Sequence, residues 1–285
     1  MSAALSFEEK NEWSPTSVVR TAQKSLNLDR LYGRLLGMIT HYPPSSVVLD
    51  RFVCVDPELM EMVLSTVRVF HEEDPRNPTT TTEQAIEALG ATRVAEMTMI
   101  ILIDQVFSEV FRGSGYLSRE MTKHAVGVAT LMKHLSERHE EDPDRAWLFG
   151  LCFRLGIPMM GQAAPEAYAR CFSRLPGSQI QLHNAEKAIF GFDHRDVLFE
   201  LVKSYNFPEW FVEAADPDGL PLFLKACAPI ASHVTHKLGY DMGLATSSNY
   251  LRPRHIETAK IDMEELPEIR TKILEAVQEV QKYAI

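Results

Sequence analysis

The chain has no apolar run near the roughly 18 residues that a membrane helix needs. Its N-terminus, MSAALSFEEKNEW, lacks the basic stretch followed by an apolar run that marks a secretory leader. Neither a membrane nor export is expected, and the sequence reads as cytoplasmic. Cysteine is scarce: Cys54, Cys152, Cys171 and Cys227 are far apart and form no C-x-x-C pair, so a disulfide framework or a zinc ribbon is not indicated. They read mostly as core thiols in a reducing compartment. Positive charge is in deficit, with 29 Lys and Arg against 39 Asp and Glu and a net charge of −10. That balance repels nucleic-acid backbones and anionic membrane surfaces, so neither is expected as a partner. Runs of alternating apolar and polar residues are missing too, which leaves no convincing strand.

What the sequence does contain is helical period, and the predicted class is all-α. TTTTEQAIEALG offers a capping box at Thr81 and Gln84 and a stop at Gly90. The next stretch, ATRVAEMTMIILIDQVFSEVF, is apolar almost all round and predicts a buried central helix. Ser118 is a candidate cap for a helix with Met121, Ala125, Val128, Met132 and Leu135 on one stripe and His124 beside it. Asp142 with Pro143 opens a helix that Gly156 is expected to stop, and Gly150 within it suggests close packing. Gly191 and Asp193 separate two further helices at His194, the second ending before Pro208. A helix from LPLFLKACAPIASHVTHKLG carries Pro229, and the last, with Ile269, Ile273, Val277 and Val280 on one face, is amphipathic. Such a stripe most often packs on its own domain, but it is also a candidate interface.

Four segments follow: an extension over 1–25 whose order the sequence leaves open, an N-terminal helical subdomain over 26–112, a second over 113–240, and a C-terminal loop and amphipathic helix over 241–285, expected to pack on the module. The soft spots are residues 1–25, HEEDPRNPTTTT, FRGSGY and DMGLATSSNYLRPR.

One charge stands out. In GLCFRLGIP, residues 150–158, Arg154 sits in a run otherwise apolar or glycine. It either emerges at the helix end to bond the last carbonyls, or it enters the core. The ordered pieces around it, DPELMEMVL, EQAIEALG, MTKHAVGVA, AWLFGLCFRLG and FGFDHRDVLFELVKSYNFPEW, resemble the HDOD family over roughly residues 30 to 240. These are bacterial signalling modules related to the HD-domain metal-dependent phosphohydrolases. The resemblance implies a multi-helix HD-like bundle and places His124 and His194 at two metal-ligand positions. The His-Asp pair of the HD enzymes falls on Phe153 and Arg154. Phenylalanine has no ligand atom, and arginine brings a positive charge to a cation's place. Ala215 and Asp216 stand where the resemblance implies a His-His-x-Pro stretch, and Ser232 stands at the late aspartate.

The resemblance therefore implies a signalling module that has lost the metal site, is not an enzyme, needs no cofactor, and acts through a protein partner in trans. Self-association stays open. In this reading Arg154 replaces the cation by pairing with Asp193, Asp196 or Glu186. Two alternatives remain: a metal-dependent phosphohydrolase or phosphodiesterase using His124, His194 and unconventional ligands, and a pocket for a small anion such as a nucleotide, with Arg154 on the phosphate. Taken alone, His124 is more often a hydrogen-bonded core residue. The cluster His134, His139 and Glu140 to Asp142 reads as a solvated face, and His233 with His236 lacks a carboxylate to complete a metal triad.

Overall fold

The computed structural model describes residues 13–71, 78–111, 115–173, 182–219, 223–240, 260–261 and 263–283. Among these every regular element is helical: α1 (Pro15–Gln23), α2 (Leu26–Thr40), α3 (Ser46–Cys54), α4 (Pro57–Phe70), α5 (Thr82–Leu89), α6 (Ala91–Val110), α7 (Gly115–Ser136), α8 (Pro143–Cys152), α9 (Gly156–Ala163), α10 (Pro165–Ser173), α11 (Leu182–Phe190), α12 (His194–Ser204), α13 (Glu209–Ala215), α14 (Phe223–Lys237), a 3-10 turn (Met263–Glu265) and α15 (Leu266–Val280). No helix among the described residues is long and apolar enough to cross a membrane.

Several helices start where the sequence supplies a cap. Thr81 and Gln84 form the expected reciprocal box, and Asp142 accepts from the backbone N–H of Asp144 and Arg145 at 2.9 and 3.1 Å. Asp193 caps α12 by accepting from Arg195 N at 2.9 Å, while its own N–H donates to Asp196 at 2.8 Å. Ser118 does not cap: α7 starts earlier, at Gly115, and Ser118 lies buried inside it. Nor does Gly156 stop a helix. The stop falls at Phe153, and Gly156 opens α9 after a three-residue turn.

The apolar α6 is buried along most of its length and packs on α2, α4, α5 and α7. Helix α7 is the hub, in contact with α6, α8, α14 and α15. Gly150 of α8 meets α7 so closely that a Cβ there would lie 2.9 Å from the Cα of Ala129. One continuous apolar core runs from Val18 to Tyr283, so the divisions at 112 and 240 do not separate cores. Two points that the sequence left open are decided by this packing. Residues 15–23 are not a loose extension, because Val18, Val19 and Ala22 are buried where α1 packs on α9 and α12. The stripe of α15 faces inward: Ile269, Ile273, Val277 and Val280 are buried and the helix packs on α7. Cys54 is exposed, whereas Cys152, Cys171 and Cys227 are buried thiols. Of the soft spots, residues 1–12, residues 72–77 of HEEDPRNPTTTT, residues 112–114 of the glycine break and DMGLATSSNYLRPR lie outside the described residues.

Candidate functional site

The turn between α8 and α9 turns Arg154 inward, onto α12 and α14. Gly156 makes this possible. A Cβ on it would fall 1.9 Å from the carbonyl oxygen of His194, so only glycine lets the start of α9 sit against the start of α12. The guanidinium of Arg154 then donates through Nη1 to Nε2 of His194 and through Nη2 to Oγ of Ser232 at 2.7 Å. It also lies over the ring of Phe153, 5.2 Å from the centroid.

Donor bookkeeping gives the chain a direction. Arginine only donates, so Nε2 of His194 must accept, and its proton sits on Nδ1, which donates to Oε2 of Glu186 at 2.6 Å. The same Glu186 oxygen accepts the backbone N–H of His194 at 3.1 Å, and its other oxygen accepts the Tyr168 hydroxyl at 2.6 Å. On the other side, Nδ1 of His124 faces the Tyr240 carbonyl at 2.7 Å and must donate to it. Nε2 of His124 therefore accepts from the Ser232 hydroxyl, 2.9 Å away. Both histidines are neutral Nδ1–H tautomers, and a single line of donors runs outward from Arg154 toward Glu186 and Tyr240.

For His124 the electrostatics agree with this assignment. Burial, reinforced by the Arg154 charge, pushes His124 down to about 3. Burial also lowers Arg154 to about 10, against the upward pull of Glu186. For Glu186 burial acts upward, but the hydrogen bonds donated by His194, through Nδ1 and its backbone N–H, and by the Tyr168 hydroxyl hold it below the usual carboxylate range.

The structure thus brings four of the singled-out residues, His124, Arg154, His194 and Ser232, into one network and sets Phe153 beside it. Asp216 does not join: it ends α13, and its Oδ1 accepts from the backbone of Asp218 at 2.9 Å. The expected direct pairing of Arg154 with a carboxylate also needs correcting. Asp193 is taken by Arg195 and Lys187, Asp196 by the cap of α12, and Glu186 is reached only through His194. The bonding of Arg154 to last-turn carbonyls is likewise replaced by side-chain partners. Tyr168 and the Tyr240 carbonyl were not anticipated. Glu186 carries a sequence signal, since it falls on the stripe of Leu182, Ala185 and Phe190.

Glu186, Asp193 and His194 offer ligand atoms within 4.8 Å of one another, but the donor set does not fit a divalent metal. A metal on Nδ1 of His194 would force the proton onto Nε2, against the Arg154 N–H, and the Asp193 carboxylate is already chelated by Arg195. On the Nε2 side the Arg154 cation is itself in place.

Residues 29–217 match the family model described as the HDOD domain. The chain belongs to the HDOD family. Solved structures with the same fold include an HDOD domain protein of unknown function from Geobacter sulfurreducens, 16% identical, with 95% of this chain and 100% of that one covered and a TM-score of 0.66. A protein from Shewanella amazonensis SB2B provisionally named a phosphohydrolase is 17% identical, with 93% and 97% covered and a TM-score of 0.65. One from Marinobacter aquaeolei VT8, provisionally named a signal transduction protein, is 15% identical, with 88% of this chain and 57% of that one covered and a TM-score of 0.65. Among curated proteins none matches this sequence. At these identities the solved neighbours speak for the fold.

Proposed function

We propose that this HDOD module is a non-catalytic regulatory element of the bacterial cytoplasm that works by binding another protein. The observation that carries the reading is Arg154. Its guanidinium engages His194 directly and Ser232, and through Ser232 it commits His124, so both imidazoles spend their Nε2 lone pairs inside the protein. Metal-dependent hydrolysis needs open ligand atoms and a polarised water, and these residues are committed to one another instead. The partner is expected to be a signalling component supplied in trans. The module offers a rigid helical platform whose surfaces make the contacts.

Metal analysis by inductively coupled plasma mass spectrometry on tag-free protein grown in metal-supplemented medium tests this directly. Metal well below one equivalent, with no metal-stimulated release of nitrophenol from bis(4-nitrophenyl) phosphate, is the expected result. Near-stoichiometric iron, manganese or zinc with hydrolysis would overturn it in favour of a phosphodiesterase built on His124 and His194.

A second reading rests on Nε of Arg154, which is buried and has no hydrogen-bond partner among the described residues. A small phosphate-bearing ligand would satisfy that donor. A nucleotide that raises the melting temperature of the native protein but not of Arg154→Ala would favour it.

A further inference from the structure

Helix α3, SVVLDRFVC, buries Leu49 and Val53 and turns its other side to solvent. Successive turns of that outer face carry Val47, Arg51 and Val55, spaced four residues apart, with Val48 beside them. Among the described residues the exposed large apolar side chains are Val47 (60%), Val48 (37%), Val55 (83%) and, on α4, Val69 (52%). Three of these four thus belong to one helix and its C-cap. A single exposed apolar residue needs no explanation, but three on one short face make a patch, which the aliphatic stem of Arg51 extends. Valine is also a poor residue for exposed helix positions, because its branched Cβ loses rotamer freedom against the preceding turn. These valines weaken α3 locally and bury little within the chain, so the fold does not account for them.

The rim of the patch is acidic. Asp50 lies on α3 itself, where its carboxylate accepts from the exposed Cys54 thiol at 3.3 Å. The same thiol sits 3.6 Å from the Thr82 hydroxyl, which brings the start of α5, with Glu83, to the end of α3. Glu58 follows in the first turn of α4. Asp50, Glu58 and Glu83 form no ion pair among the described residues. In a symmetric contact with a second copy these carboxylates would meet themselves, on a chain that already carries −10. The charge favours a partner of the opposite sign.

We propose that the outer face of α3, with the first turns of α4 and α5, is where the partner docks, and that the partner presents an amphipathic helix whose apolar stripe is flanked by lysine or arginine. The stripe covers Val47, Val48 and Val55, and the flanking cations meet Asp50, Glu58 and Glu83. These exposed charges set register and association rate more than affinity, so the contact is salt-sensitive. Its small area places it among transient signalling contacts. The inference rests on the reading of the module as a protein binder, and it names the surface and the charge of what binds there.

The test uses the full chain and an acetylated amphipathic helix of leucine and lysine, with its leucine and glutamate counterpart as control. The lysine peptide is expected to slow amide exchange in α3 and the first turns of α4 and α5, and the glutamate peptide to leave them unchanged. Val47→Ser/Val55→Ser, which keeps the charge, should weaken the lysine peptide at least tenfold in fluorescence anisotropy. Glu58→Gln/Glu83→Gln should weaken it at least threefold at low salt and less at high salt. All four positions are exposed, so both variants should melt as the native protein does. Protection elsewhere on the chain, or equal binding by both serine-substituted and native protein, would overturn the surface. Equal binding of the two peptides would overturn the basic partner, and so would a dimer in sedimentation that Val47→Ser/Val55→Ser abolishes, since the occupant would then be a second copy. Metal uptake with phosphodiester hydrolysis would sink the binder reading while leaving the footprint of the peptide unchanged, so the two failures are distinguishable.

Discussion

Arg154 and Ser232 are joined by a 2.7 Å hydrogen bond across 78 positions of sequence. Through it, a guanidinium in the α8–α9 turn reaches α14, and from there His124 on α7. Four elements are pinned to one planar group, and its geometry leads to specific expectations.

Arg154→Met should destabilise the protein without unfolding it. The substitution leaves Nε2 of His194 and the Ser232 hydroxyl without their donor and removes the positive charge that faces Glu186 through the imidazole. A loss of about 3 kcal/mol is expected for breaking a buried charged network, or a melting temperature lower by roughly 6 to 12 °C. Arg154→Lys should recover less than half of this, because one ammonium cannot bridge both acceptors. Full recovery by lysine in thermal melts would mean that charge alone matters and the fork does not.

Stability should fall with acid earlier than carboxylates alone require. His124 is held neutral in the fold with its pKa at about 3, against an unfolded value near 6.5. Below about pH 6.5 the unfolded chain takes up a proton that the native state refuses, so stability is present above that pH and drains away down to about pH 3. The full effect is on the order of 5 kcal/mol. Glu186 and Asp193, both lowered, add to the loss at the acid end, whereas Asp104, raised by burial, works against it. Urea unfolding between pH 7 and 5 should show a positive slope that His124→Gln flattens; an unchanged slope would remove His124 from the account.

Three glycine-to-alanine variants should separate packing from flexibility. Gly156→Ala puts a methyl 1.9 Å from the His194 carbonyl oxygen, and the α9–α12 contact has to open. A cost of about 3 kcal/mol or more is expected. Gly150→Ala, 2.9 Å from the Cα of Ala129, should cost somewhat less. Gly33, inside α2 with nothing near its would-be methyl, should gain roughly 0.5 to 1 kcal/mol on the same change. Equal effects at all three positions in denaturant titrations would contradict the packing described.

The metal-ligand pattern should be recoverable. The triple variant Phe153→His/Arg154→Asp/Ser232→Asp replaces the cation with ligand atoms at positions beside His124 and His194. Manganese or iron uptake toward one equivalent is expected, against none for the native chain. A properly folded but metal-free triple variant would show that these positions do not converge as ligand positions must.

The all-helical class, several helix caps and the acidic balance are properties of local spacing and residue type, which is why they were legible in the sequence. Thr81, Asp142 and Asp193 act within three or four residues of themselves, so their roles need no knowledge of the rest of the chain. The oddity of Arg154 was legible for the same reason: a charge in an apolar run is visible from its neighbours. Where that charge goes was not. Its partners lie 40 and 78 residues away, and the proton positions follow only once the Tyr240 carbonyl is seen to face His124. Gly156 reads from sequence as a stop because local rules see only its backbone freedom, whereas tertiary structure uses its missing Cβ to seat α9 against His194. Local propensity determined which segments became helices. Long-range approach of backbones, and the need of each buried donor for an acceptor, decided what those helices hold at their centre.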